Sequence, residues 1–319
     1  VGDPANDRLR VNAEEVRARA IGEGANLGVT QAARIAFSLR AKDGLRGRIN
    51  TDFIDNSAGV DCSDNEVNIK IALNREVIEG RLKIDDRNTL LASMTDDVAH
   101  LVLEDNRLQT LALSFLENDG AVAVPSFVRV IEILEASGRL DRAVEGLGSN
   151  EDYLRRAQEG RGLTRPELAV LLATSKLALQ DAIEDGNLGL DPELEPDLIA
   201  AFPPAMQKKF KKPIEEHRLR GEIVATKLAN RIVNRLGVLH PFELAEEEGA
   251  SLRDIAAMFV VAERLFGLPA IWEAIETAAI SEQARLALLD EVAVATRAQN
   301  GDLLRVDRSD GGPGGVIAR

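Results

Sequence analysis

Two short stretches carry the residue types that a small-molecule site needs. "GEGAN" (22–26) and "DNSAGV" (55–60) each join a segment that reads as a strand to one that reads as a helix. Their small residues let a ligand lie against the backbone. The side-chain amides of Asn26 and Asn56 each supply a donor and an acceptor, which suits an amide or a ribose. In an open parallel sheet, ligands bind just beyond the carboxyl ends of the strands, and both junctions fall on that edge. Ser63 follows at an expected helix N-terminus, where free N–H groups and the helix dipole favour an anion such as a carboxylate. A purely structural account stands beside this one. Ser63 with Glu66 has the spacing of a capping box, and Gly22, Gly24 and Gly59 can serve turns. Spacing alone leaves the two accounts of Ser63 level.

Other chemistry finds little support. His100, His217 and His240 are far apart and lack metal-ligand spacing, so each is expected to be structural or on the surface. Cys62 is the single cysteine, which excludes an intramolecular disulfide and a cysteine-rich zinc site and suits a reducing compartment. There is no Gly-x-Gly-x-x-Gly, no phosphate loop and no nucleophile elbow. Residues 208–235 are locally basic, with Lys208, Lys209, Lys211, Lys212, Arg218, Arg220, Arg231 and Arg235, but aromatic residues are scarce among them. They read as a solvated helix face or as the complement of an acidic surface, not as a nucleic-acid site. The net charge of -14 likewise argues against a nucleic-acid or membrane partner. No run is apolar and long enough to span a bilayer and no signal peptide is visible, so a cytoplasmic location is expected. The chain opens on Val1 rather than Met, and it is expected to be a piece of a longer protein.

The elements that must position these residues fall into two grammars. Residues 16–25 read as a strand, 30–40 as a helix capped by Thr30, 42–47 as a loop, 48–55 as a second strand and 63–80 as a helix. Strand, helix, strand, helix is the pattern of a parallel α/β sheet. From about residue 85 onward no strand signal is found. Helices are expected over 94–118, 124–137, 163–185 and 204–237, the last broken near Pro213, and in three further segments from about 250 to 299. The 163–185 segment has a strong start, with Thr164 as cap, Pro166 in the first turn and Glu167 completing a capping box. The fold class expected is mainly α with a small α/β part.

At this point whole motifs, not single residues, carry the reading. "GEGANLGVTQAARI", "GRINTDFIDNSAGVDCSDNEVNIKI", "GRGLTRPELAVLLATSKLAL" and "EEHRLRGEIVATKLANRIVNRLG" resemble the large bacterial NAD-specific glutamate dehydrogenases, over a span from about residue 2 to 276. The resemblance implies oxidative deamination of L-glutamate to 2-oxoglutarate and ammonium with NAD as hydride acceptor, in a homo-oligomer. It implies that Glu23, Gly24, Ala25 and Asn26, and the turn Asn56, Ser57, Ala58, Gly59 and Val60, line the nicotinamide end of the cofactor cleft. The cofactor-binding residues carried over are therefore Gly24, Ala25, Asn26, Asn56 and Gly59, with Ser57 and Ala58 departing from the usual Ala and Gly. Ser63 matches a serine that contacts a substrate carboxylate. The family's catalytic lysines, its aspartate and its pyrophosphate turn lie upstream, so no catalytic residue is expected in this chain and the chain alone is expected to be inactive. Residues 1–80 would end a Rossmann-like dinucleotide-binding domain, and 81–319 would form a C-terminal helical domain. The alternative is a non-catalytic helical module for oligomerisation or regulation. A different amino-acid dehydrogenase is disfavoured by the length of the motif match.

Overall fold

The computed structural model describes residues 11–22, 28–42 and 45–306. Two compact units are present, and the chain passes between them three times. One comprises the chain up to Asn56 together with Asp119–Leu171, and the other comprises Ser57–Asn118 together with the chain from Leu172 onward.

In the first unit, Ala20–Ile21 pairs in parallel with Arg48–Ile49, in the register Ala20 to Arg48 and Ile21 to Ile49. The helix Gln31–Leu39 forms the connection. Thr30 Oγ1 accepts from the Ala33 N–H at 3.2 Å, so the expected cap is present. This is the expected strand–helix–strand order, but both strands are much shorter than expected. The second stops at Ile49, and Asp52–Asp55 turns into helix instead of continuing to residue 55. The cause is local: the Asn56 N–H reaches the Asp52 carbonyl at 2.7 Å, and Asn50 Nδ2 donates to Asp55 Oδ1 at 2.8 Å. Side chains of that polarity close a turn more readily than they continue a ladder. The expected 42–47 loop contains a short antiparallel pairing of Ala41–Lys42 with Leu45–Arg46. Phe37, Ile49 and Ile54 fill the small core here, and a Cβ on Gly47 would press into Phe37. The helices Val124–Ala136 and Asn150–Gln158 complete the unit with Phe127, Ile131, Leu134 and Tyr153 buried.

The second unit is helical throughout its described residues. Arg220–Leu236 and Leu252–Leu265 run through its centre, and Leu228, Ile232, Ala256, Phe259 and Val260 are almost fully buried. Pro213 does not break a helix. It sits in the first turn of Lys211–Glu215, where its missing N–H has no partner to lose, and the interruption falls at residues 216–219 instead. No single described helix is long and apolar enough to cross a membrane.

One close approach tests this packing. A Cβ on Gly189 would press into the carbonyl oxygen of Gly221, at the start of the Arg220–Leu236 helix. Backbone cannot yield as a flexible side chain can. Gly189→Ala is therefore expected to cost about 1–3 kcal/mol of stability, measured as a lowered urea midpoint at unchanged slope. A midpoint equal to wild type would show that the approach is not tight.

Candidate functional site

The two glycine-and-asparagine junctions have different fates. Gly24, Ala25 and Asn26 lie outside the described residues. Asn56 ends the Asp52–Asp55 turn in the first unit, with φ -99° and ψ 46°. The next helix, Ser57–Ile78, starts six residues earlier than expected. Part of the reason lies outside the segment. Asn106 Nδ2, on the helix Thr95–Asn118, donates to Ser57 Oγ at 2.8 Å and holds the first turn. The capping role read for Ser63 is thereby corrected: Ser63 is the seventh residue of that helix and does not cap it.

What remains of Ser63 is its exposure. Gly59 and Ser63 are four residues apart and share one helix face, and both are exposed. Val60 and Val67, on the adjoining positions, are 61% and 48% exposed. The Ser63 hydroxyl makes no hydrogen bond to a described residue. Bare backbone at Gly59, an uncommitted hydroxyl and exposed apolar side chains together suit contact with a small polar molecule.

Directly beneath this face is a buried ionic cluster that spacing did not reveal. Asp61 lies between Gly59 and Ser63 on the inner side of the helix. Burial, reinforced by the neighbouring Asp105, raises its carboxyl to about 6, while Lys227 opposes the shift. Asn65 Nδ2 donates to the Asp61 carbonyl at 2.8 Å and to Oδ1 at 3.2 Å. Lys227 Nζ lies 2.8 Å from Asp105 Oδ2. Lys176 is buried in the same cluster, and burial lowers its amine to about 7 against the pull of Asp105 and Asp61. The four residues come from four helices, so no sequence window contains the cluster. Its only local trace was an aspartate at the centre of a motif of small residues.

The remaining candidates take structural places. Burial and the Glu66 carboxylate raise the Cys62 thiol, which leaves it a poor nucleophile. His217 is buried, accepts from the Leu219 N–H at Nδ1 and donates from Nε2 to the Asn68 carbonyl at 3.1 Å. His240 is buried against Asn300, and burial pushes it down to about 3. His100 is exposed. Of the basic run, Arg231 and Arg235 are not solvated: they pair with Asp197, Glu263 and Glu276.

Comparison with known proteins agrees with the motifs. Residues 1–116 match the family model described as bacterial NAD-glutamate dehydrogenase, catalytic domain, and residues 160–319 match glutamate dehydrogenase, C-terminal. The chain is 43% identical over 294 residues to the NAD-specific glutamate dehydrogenase of Pseudomonas aeruginosa, covering 92% of the chain and 18% of that protein. It is 42% identical over 297 residues to that of Mycobacterium tuberculosis, covering 93% of the chain and 18% of that protein. The relative from Halomonas elongata is 42% identical over 276 residues, covering 86% of the chain and 17% of that protein. The chain thus spans less than a fifth of the length of these relatives. Motifs, both family models and all three relatives agree: the chain belongs to the bacterial NAD-glutamate dehydrogenase family.

Proposed function

We propose that this chain supplies part of the active site of an NAD-dependent glutamate dehydrogenase, which converts L-glutamate to 2-oxoglutarate and ammonium. The observation that carries the reading is the exposed Gly59–Ser63 face, on the helix that directly follows Asn56 in the chain. Ser63 would donate its hydroxyl to a carboxylate of glutamate. Near the helix N-terminus this contact is supported by the dipole. The short parallel strand–helix–strand segment over residues 20–49 would be the end of a Rossmann-like dinucleotide-binding domain.

The residues present fit a pyridine dinucleotide in kind. Asn56 brings a carboxamide with donor and acceptor, and Gly59 allows approach to bare backbone. When bound, NAD accepts a hydride; this chain's share would be to hold the ring end and the substrate in register. The cytoplasm, where NAD and glutamate are both available, is the compartment we propose.

Ser63→Ala tests the reading in the full-length protein that carries this chain. Ser63 is exposed, unbonded and not a cap, and alanine is a better helix former. The melting temperature is therefore expected to stay at the wild-type value. A lost hydrogen bond to a charged group is worth about 1.5–3 kcal/mol, so kcat/KM for L-glutamate should fall roughly ten- to hundredfold, with the KM for NAD little changed. Wild-type glutamate kinetics in this variant would remove Ser63 from the site.

A further inference from the structure

The helical unit contains a cavity of about 1010 Å³, at the upper end of the size range of small-molecule sites. Its wall is built around one stripe of the Arg220–Leu236 helix. Lys227, Asn230, Arg231, Asn234 and Arg235 recur at the spacing of a single helix face and all line it. Part of the opposite wall is the helix Leu268–Thr277, with Trp272.

The charged groups of this wall are already matched. Lys227 pairs with Asp105, Arg231 with Asp197 at 2.6 Å, Arg235 with Glu276, and Arg264 with Glu193 at 2.8 Å. Acidic residues outnumber basic ones on the lining, six to four. No cation is left uncommitted for an anionic ligand. The unmatched groups are neutral or are single protons of a paired cation. Trp272 Nε1, Arg231 Nη2 and Asn234 Oδ1 are all buried without a hydrogen-bond partner among the described residues. Buried polar groups are nearly always matched, and a cluster of exceptions calls for a partner. Two of these three are donors and one is an acceptor.

That inventory selects a ligand. A carboxylate can accept from Trp272 and Arg231, but it cannot satisfy Asn234 and meets the acidic excess. An amidinium or ammonium can donate to Asn234 but cannot satisfy the two donors. A primary carboxamide does both: its carbonyl has two lone pairs and its NH₂ can donate to Asn234 Oδ1. Leu101, Leu108, Pro196 and Pro269 supply apolar wall for the rest of the molecule. We propose that this cavity is a second small-molecule site, separate from the Gly59–Ser63 face, and that it takes an uncharged molecule bearing a primary carboxamide on an apolar body.

Three isosteric probes that differ in charge test this on the 319-residue chain: benzamide, benzoate and benzamidine. Trp272 is the chain's single tryptophan, so tryptophan emission reports on this wall alone. Benzamide is expected to change the emission saturably with millimolar affinity, and the two charged probes to bind at least roughly tenfold more weakly. By calorimetry, Trp272→Phe and Asn234→Ala should each weaken benzamide several-fold. Neither should lower the melting temperature of the ligand-free chain, because the atoms removed have no partner to lose. No saturable response to benzamide, equal binding of the three probes, or full benzamide affinity in both variants would overturn the proposal. A marked loss of melting temperature in both ligand-free variants would do so too, by showing that these atoms already have partners.

Discussion

Glu167→Ala is expected to lower the stability of the chain by about 3–5 kcal/mol, the range for removing one partner of a buried ion pair. Glu167 is 1% exposed. Its carboxylate accepts from Arg156 Nη1 at 3.1 Å and Nη2 at 2.5 Å, and from the Thr164 N–H and hydroxyl, both at 2.7 Å. Truncation would leave the buried guanidinium of Arg156, which lies over the Tyr153 ring at 4.8 Å, without its counter-charge. It would also leave the first N–H of the Arg165–Asp185 helix start unmatched. The double variant Arg156→Leu/Glu167→Leu should recover much of the loss, since removing both charges leaves no uncompensated ion. Urea unfolding at neutral pH reads both. A single variant within about 1 kcal/mol of wild type would mean that water reaches Arg156.

Lys176→Met is expected to raise stability at pH 7 by roughly 3–5 kcal/mol, and to add little at pH 10 or above. Burial lowers the Lys176 amine from its ordinary 10.5 to about 7 in the folded chain, against the pull of Asp105 and Asp61. A group whose pKa is depressed on folding in this way favours the fold fully above its unfolded value. That contribution is lost as pH falls toward the folded value. The wild-type chain should therefore gain stability as pH rises from about 7 toward 10.5. Asp61 acts in the opposite sense. Its carboxyl is raised from 3.8 to about 6, so its contribution is complete below 3.8 and lost as pH rises through 6. The cluster's share of stability should thus have a floor between about pH 6 and 7. Lys176→Met should remove the alkaline limb and Asp61→Asn the acid one. Methionine is close to lysine in shape and buries well. Equal stabilisation by Lys176→Met at pH 7 and pH 10 would show that the amine is already hydrated and not responsible for the slope.

Much of this protein was legible without a fold. The Thr30 cap, the start of the Arg165–Asp185 helix and the absence of strands beyond residue 85 follow from interactions within a few residues, and local spacing records them. The family was legible because the "GEGAN" and "DNSAGV" motifs and the long downstream segments extend far beyond chance. Even a local signal left choices open, however. At the Arg165–Asp185 start, Glu167 does accept from the Thr164 N–H, yet the Thr164 hydroxyl also donates to Glu167, because the Arg156 guanidinium fixes the carboxylate there.

Tertiary structure decided everything that depended on partners distant in the chain. The Ser63–Glu66 spacing is a sound capping signal, but it cannot record that Asn106 holds Ser57 and lets the helix begin six residues earlier. Arg231 and Arg235 looked solvated because Asp197, Glu263 and Glu276 are 28 to 66 positions away and come near only when the helices pack. The same holds for Asp61, Asp105, Lys176 and Lys227, one from each of four helices. Alone, each is an ordinary surface-type residue. Burial together makes one an aspartate that titrates near neutrality and another a lysine that does the same. Desolvation depends on what covers a group, and the chain's linear order does not specify that cover.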